Sequence, residues 1–130
     1  MAGHKFTISY PVDEVAGNTA EEYFAFDEKC RLINAIYTDK DGVTQHTANY
    51  ITFTVQNAAG SETYLTYSTR TADQGTIAAV TPTALIDGAD AAKNIFASST
   101  ALRFLAAPSG AGKALDGTIV LTFEKERLYS

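Results

Sequence analysis

Two stretches of the chain alternate apolar and polar residues with a period of two, Ala48–Asn57 and Gly117–Glu124. This spacing places every second side chain on the same side of an extended chain, which is typical of a β-strand with one buried face. The residues predicted to face inward are Ile51, Phe53 and Val55 in the first stretch, and Ile119, Leu121 and Phe123 in the second. Two such strands predict a sheet core that the other segments must close.

Six further segments are short and rich in β-branched and aromatic residues, as strands are. They are His4–Tyr10, Glu22–Phe26, Cys30–Thr38, Glu62–Ser68, the less regular Gly75–Val80, and Ala101–Ala106. Within the third of these, alternation predicts Leu32 and Ile36 on one face and Ile33, Ala35 and Tyr37 on the other. Pro11 is expected to end the first strand, because proline cannot donate a hydrogen bond to a central ladder.

Polar segments separate the predicted strands. Asp13–Glu21 is expected to be a loop, Asp39–Gly42 a tight hairpin turn, and Asn57–Ser61 a hairpin loop, since Gly, Asn and Asp tolerate the backbone angles of turns. Pro108–Lys113 is predicted to be a flexible loop before the last strand. Residues 87–99 leave two interpretations open: a short helix that Asp90 caps, or an irregular strand.

About eight short strands with at most one short helix predict an all-β fold, a single-domain antiparallel β-sandwich or barrel spanning residues 1–130. The composition fits a globular protein, because 45% of the residues are hydrophobic and 19% are charged. Cys30 is the single cysteine, so no internal disulfide forms. The first residues contain no apolar core of a secretory signal, which predicts synthesis and folding in a cytoplasm.

The net charge limits the classes of partner that the chain is expected to bind. The net charge is −5, with acidic and basic residues interspersed, whereas phosphate backbones and anionic membranes attract basic surfaces. We therefore expect no nucleic acid and no membrane partner, and no stretch reaches the length of about 18 apolar residues that a membrane span needs.

Candidate chemical motifs are incomplete. Gly110–Lys113 lacks the first glycine of a phosphate-binding loop and is followed by Ala114 instead of serine or threonine. Asp39–Gly42 resembles a fragment of a calcium loop, but its first and last ligand positions would fall on Tyr37 and Ala48. His4 and His46 have no metal-ligand spacing, and Cys30 is expected to be an apolar filler. We predict no cofactor, no metal and no catalytic residue.

The order of segments along the whole chain resembles that of a known protein family. An extended N-terminal segment precedes FAFDEKCRLINAIYT, followed by VTQHTA, by ITFTVQNAAG, by an Ala/Thr/Gly-rich connection at residues 70–90, and by LRFLAAPSGAGKALDGTIVLTFEKERL, expected to be a hairpin. This order resembles the head-decoration (cement) proteins of tailed bacteriophages. The chain departs from many of them at Leu102–Leu105, where a Gly-Asp turn is common, so the register of its last hairpin stays open.

The resemblance implies a jelly-roll sandwich without enzymatic activity that binds the outside of an assembled phage head, in contact with the major capsid protein. It also implies a homotrimer located on the virion surface and made in the cytoplasm of the host bacterium. Candidate interface residues are Phe6, Ile8, Tyr10, Tyr64 and Tyr67. Residues 1–10 either add a strand to a neighbouring subunit or form an edge strand of their own sheet.

Three other functions stay open on the sequence: a phage tail or fibre component, a small carbohydrate-binding module, and a small hydrolase with a carboxylate pair assembled in space. The absence of tryptophan counts against sugar binding, although the seven tyrosines are available as platforms.

Overall fold

The computed structural model describes residues 5–25, 30–86, 95–96 and 101–125. Nine strands form in this part of the chain: β1 (Lys5–Glu14), β2 (Ala20–Ala25), β3 (Cys30–Asp39), β4 (Tyr50–Asn57), β5 (Thr63–Ser68), β6 (Thr83–Ala84), β7 (Ile95–Phe96), β8 (Ala101–Ser109) and β9 (Leu115–Lys125). The all-β prediction is confirmed. None of the residues described belongs to a helix of the length and hydropathy needed to cross a membrane.

The strand pairing is that of one long antiparallel hairpin, whose two arms are wrapped together into a sandwich. β4 pairs with β5, β3 with β6, β2 with β8 and β1 with β9, all antiparallel, so each pair encloses the next. Wrapping divides the hairpin into two sheets with the orders β1-β9-β3-β6 and β2-β8-β4-β5, and β7 also pairs with β3. This nested pairing across two packed sheets is the jelly-roll arrangement of a β-sandwich.

The core lies between the sheets and is filled by the inward positions that alternation predicted. Ile51, Phe53 and Val55 are fully buried, as are Ile119, Leu121 and Phe123. The Phe53 ring lies near the centre, 4.9 Å from the Tyr37 ring and 6.4 Å from the Phe104 ring. Each such side chain contributes about 1.5–3 kcal/mol by leaving water, so these contacts hold the two sheets together.

The prediction that Pro11 ends the first strand is wrong. β1 continues through Pro11 to Glu14, and its register with β9 is unbroken from Lys5 to Glu14. β1 has a strand neighbour on one side alone among the described residues, and an edge strand accommodates proline when its nitrogen faces away from the partner. The predicted loop over residues 13–21 is accordingly shorter, and β2 starts at Ala20.

A bulge changes the two faces predicted for β3. The register with β9 shifts between Leu32 and Asn34, so one extra residue enters the strand. Leu32, Ala35 and Tyr37 are therefore buried together, and Ile36 lies on the outer face with a half-buried side chain. The prediction that Leu32 and Ile36 share a face is wrong for this reason.

Three predicted connections also differ. Asp39–Gly42 is not a hairpin turn, because β3 and β4 belong to different sheets. The last two strands form no hairpin either, since β8 and β9 lie in opposite sheets and the 110–114 segment crosses between them. Gly75–Val80 is not a strand; Ile77 forms an isolated bridge with Val43, and the strand pairing with β3 comes later, at β6.

The hairpin loop at Asn57–Ser61 is confirmed, because β4 and β5 pair on either side of it. In the region left open between helix and strand, Ile95 and Phe96 pair with β3 as β7. The other residues from 87 to 99, including the proposed cap Asp90, lie outside the described residues.

Candidate functional site

The first three candidate interface residues lie along one open side of the sandwich. Phe6, Ile8 and Tyr10 point from β1 toward the core and are half-buried there. The Phe6 ring stacks on Phe123 at 5.5 Å between centroids, and the Tyr10 ring lies 5.9 Å from Phe24 of β2. We call these four residues, Phe6, Ile8, Tyr10 and Phe24, the aromatic seam; it lies where the edge strands of the two sheets face each other.

A charge borders the aromatic seam. Glu22 is exposed on β2, and its register partner Phe104 belongs to the core, so Glu22 stands on the side of β2 that faces β1. Partial burial raises the pKa of the Tyr10 hydroxyl, and the nearby Glu22 carboxylate raises it further. A charge on the inward side of an edge strand discourages unselective pairing between sheet edges.

The other two candidate interface residues belong to the chain's own core. Tyr64 is 3% exposed and Tyr67 is 9% exposed. The Tyr67 ring packs edge-on against Phe53 at 6.4 Å, and the Tyr64 hydroxyl donates to Glu62 at 3.2 Å. Burial raises the pKa of both tyrosines. Contact with another subunit at these two positions would be limited to their edges, so the interface proposal rests mainly on the aromatic seam.

The most constrained polar group is Asp39, which sequence reasoning assigned to an ordinary turn. It ends β3 and is 1% exposed. Its Oδ2 accepts the Tyr37 hydroxyl at 2.6 Å and the Asp116 amide at 3.0 Å, and its Oδ1 accepts the Asp41 amide at 3.0 Å. Its own carbonyl oxygen accepts the Val80 amide at 2.7 Å. Through its carboxylate and its backbone carbonyl, the buried Asp39 thus joins β3, β9 and two loops at one end of the sandwich.

Tyr37 and Gly117 complete this corner. Burial is the main cause that raises the pKa of Tyr37, and the hydrogen bond to Asp39 adds to it, so the hydroxyl stays protonated as a donor. Gly117 lies against it so closely that an added Cβ would be 2.1 Å from the Thr38 carbonyl oxygen and 2.8 Å from the Tyr37 hydroxyl. Only glycine fits here.

A cleft of about 220 Å³ opens beside the Asp39 corner. Its polar lining includes Asp41, Thr44, Lys113 and Asp116. Both oxygens of Asp39 are already occupied by donors from the chain, which fits a structural role better than proton transfer. Within the described residues, no three His, Cys, Asp or Glu side chains are grouped so that they could hold a metal ion.

The histidine and cysteine considered for chemistry have other surroundings. His46 Nδ1 accepts the amides of Ala48 at 3.0 Å and Asn49 at 2.8 Å, which fixes the loop before β4. Cys30 is fully buried at the start of β3, whereas His46 follows the other end of that strand. Ten residues of strand span about 30 Å, so the two do not form a nucleophile pair. His4 lies outside the described residues.

The loop with the glycines and Lys113 leads into a strand. A phosphate-binding loop would lead into a helix, but β9 follows here. The Ala111 amide donates to Asn49 Oδ1 at 2.8 Å, and Gly112 donates to the Ser109 carbonyl at 3.0 Å. Gly110 and Gly112 both have positive φ, so these glycines serve the turn between the sheets.

Comparison with solved structures gives six distant likenesses, two of which belong to viruses whose names are known. No family model matches the chain, and no match is found among curated proteins. The capsid asymmetric unit of cyanophage Pam1 contains a chain 16% identical, with a TM-score of 0.48, covering 96% of this chain and 87% of that one. A chain of infectious bursal disease virus, Gx strain, is 12% identical with a TM-score of 0.38; 99% of this chain spans 32% of that one. Both TM-scores are below 0.5, so the fold is assigned from the strand pairing of this chain and not from these likenesses.

Proposed function

We propose that the chain is a structural, non-enzymatic virion protein, and specifically a decoration subunit that binds the outside of an assembled phage head and stabilises it. The observation that carries this proposal is the nested strand pairing, because the jelly roll, which lectins and cupins also use, is an architecture of viral capsid domains. The resemblance of the whole sequence layout to phage head-decoration proteins supports the same role.

The polar groups of the chain favour structure over chemistry. Asp39 and His46, the two side chains best suited to move a proton, each accept at least two hydrogen bonds from the chain itself. A carboxylate or imidazole used in this way fixes loop geometry. These hydrogen bonds fix the loops at one end of the sandwich to the sheets, as a protein that reinforces a shell requires.

A homotrimer is part of the proposal, and the aromatic seam is where subunits would meet. Phe6, Ile8 and Tyr10 are half-buried on an edge strand, and further burial by a neighbour would be favourable at about 25 cal/mol per Å² of apolar surface. Three copies bound as one unit to a shell would also gain avidity, since the second and third contacts become intramolecular.

Two measurements test this function. Light scattering of the purified chain over a range of concentrations should give the mass of three chains of 13.9 kDa. The chain should then co-sediment with heads made from its source genome after deletion of its gene, and should raise the temperature at which those heads release DNA. Co-sedimentation with isolated tails instead of heads would refute the decoration role in favour of a tail component.

A further inference from the structure

The outer face of the sheet β1-β9-β3 is unusual in its charge. Its central part consists of three cross-strand rows, Thr7–Thr122–Asn34, Ser9–Val120–Ile36 and Pro11–Thr118–Thr38. None of these nine side chains carries a charge. We call them the uncharged face. Charged residues make up 19% of the whole chain, so about two charges would be expected among nine positions if they were spread evenly.

Charged rows border the uncharged face at both ends. On one side lie Lys5, Glu124 and Arg31, with Arg31 and Glu124 paired at 3.1 Å. On the other side Asp13 and Asp116 are exposed directly opposite each other. Like charges in this position repel, so a basic group on a partner would be favourable there.

The outer face of the other sheet differs. Two of its cross-strand rows carry a charge, because Arg103 lies beside Gln56 toward the end of the sheet near the β4–β5 loop, and Glu21 pairs with Leu105 in the next row. One guanidinium nitrogen of Arg103 is 3.4 Å from Glu21, and another donates to Gln56 at 2.5 Å. Tyr23, its register partner on β2, is 55% exposed. Charged residues are depleted from the centres of protein interfaces, so the two faces of the sandwich are suited to different surroundings.

The size of this face indicates which partner fits. Three strands about 4.8 Å apart and five residues rising about 3.4 Å each give a face of roughly 250 Å². Each partner of a stable pair buries about 800 Å², so this face alone is too small to hold two molecules together. A repeating surface that engages several subunits of an oligomer at once meets this condition, because the separate small contacts then add.

We propose that the uncharged face docks on the outer surface of the assembled protein shell, against a patch that is poor in charge and carries basic side chains opposite Asp13 and Asp116. This rests on the proposed function. The other sheet, with Arg103 and Tyr23, then faces solvent, and the aromatic seam at its side stays available for neighbouring subunits.

The substitution Thr118→Lys tests the proposal, with Thr66→Lys as the matched control. Both threonines are exposed, and Thr66 lies on β5 of the other sheet. A lysine at 118 places an unpaired charge in the contact and repels the basic groups expected beside Asp116. We expect co-sedimentation of Thr118→Lys with gene-deleted heads to weaken about tenfold or more, and that of Thr66→Lys to change less than about twofold.

Several results would overturn the proposal. If the unsubstituted chain and Thr118→Lys bind heads equally, the uncharged face is not the docking surface, although the decoration role stands. If Thr66→Lys weakens binding as much, the contact is not specific to this face. If Thr118→Lys breaks an oligomer of the unbound chain, the occupant is a second copy. If the unsubstituted chain binds no heads, the decoration role itself fails. Should Thr118→Lys not fold, Ser9→Lys in the central row gives the same test.

Discussion

The hydroxyl of Tyr37 offers the sharpest test of how the Asp39 corner contributes to stability. Tyr37→Phe removes one oxygen and keeps the ring that packs 4.9 Å from Phe53. The lost contact is a 2.6 Å hydrogen bond to a buried carboxylate, and bonds to charged groups contribute about 1.5–3 kcal/mol. Asp39 keeps its two amide donors. We therefore expect the free energy of unfolding to fall by about 1.5–3 kcal/mol.

Urea unfolding followed by far-UV circular dichroism measures this difference. The slope m should stay constant, because the substitution changes little of the surface exposed on unfolding. Tyr64→Phe is the matched control: its hydroxyl donates to the exposed Glu62 at 3.2 Å, so we expect a loss below about 1 kcal/mol. If Tyr37→Phe costs no more than Tyr64→Phe, the corner does not hold the loops as argued.

Two further predictions concern stability. The pKa values of Tyr10, Tyr37, Tyr64 and Tyr67 are raised by burial, so above pH 10, their ordinary value, the folded chain keeps protons that the unfolded chain releases. The contribution of these tyrosines to the free energy of unfolding should be fully present below pH 10 and should be lost as the pH rises further. Equal urea midpoints at pH 8 and pH 11 would contradict this. Val80 has φ of 53° and is 72% exposed, a costly conformation for a β-branched residue. Val80→Asn should raise the free energy of unfolding by about 0.5–1 kcal/mol, and a lowered urea midpoint would refute it.

The strands could be predicted from the sequence wherever one face is buried along a continuous run. Ile51–Val55 and Ile119–Phe123 alternate without interruption, and both are inward as expected. Alternation failed in β3 because the bulge after Leu32 inserts a residue that no local pattern announces. It failed at Pro11 for a different reason: proline marks the end of a central strand, and only the sheet order shows that β1 is an edge.

The Asp39 corner could not be predicted, because its parts are distant in sequence. Asp39 in the sequence Asp-Lys-Asp-Gly has the composition of an exposed turn. It becomes buried because the amide of Asp116, 77 positions away, completes its hydrogen bonds. The glycine that permits this approach, Gly117, reads in the sequence simply as the start of the last strand.

The same long-range pairing explains why the polar residues of the turns form no functional motif that local sequence reveals. In the nested hairpin, consecutive strands often lie in opposite sheets, so their connections are corners that need glycines and buried hydrogen bonds. Side chains of catalytic types, such as Asp39 and His46, accept hydrogen bonds from the chain itself at these corners. What remains for a partner is the surface of the sheets. The three rows of the uncharged face come from segments around residues 9, 36 and 120, and each segment alone is a short strand sequence without a charged residue. The absence of charge becomes visible only when the register places these segments side by side, and a substitution such as Thr118→Lys examines the register and the proposed docking surface together.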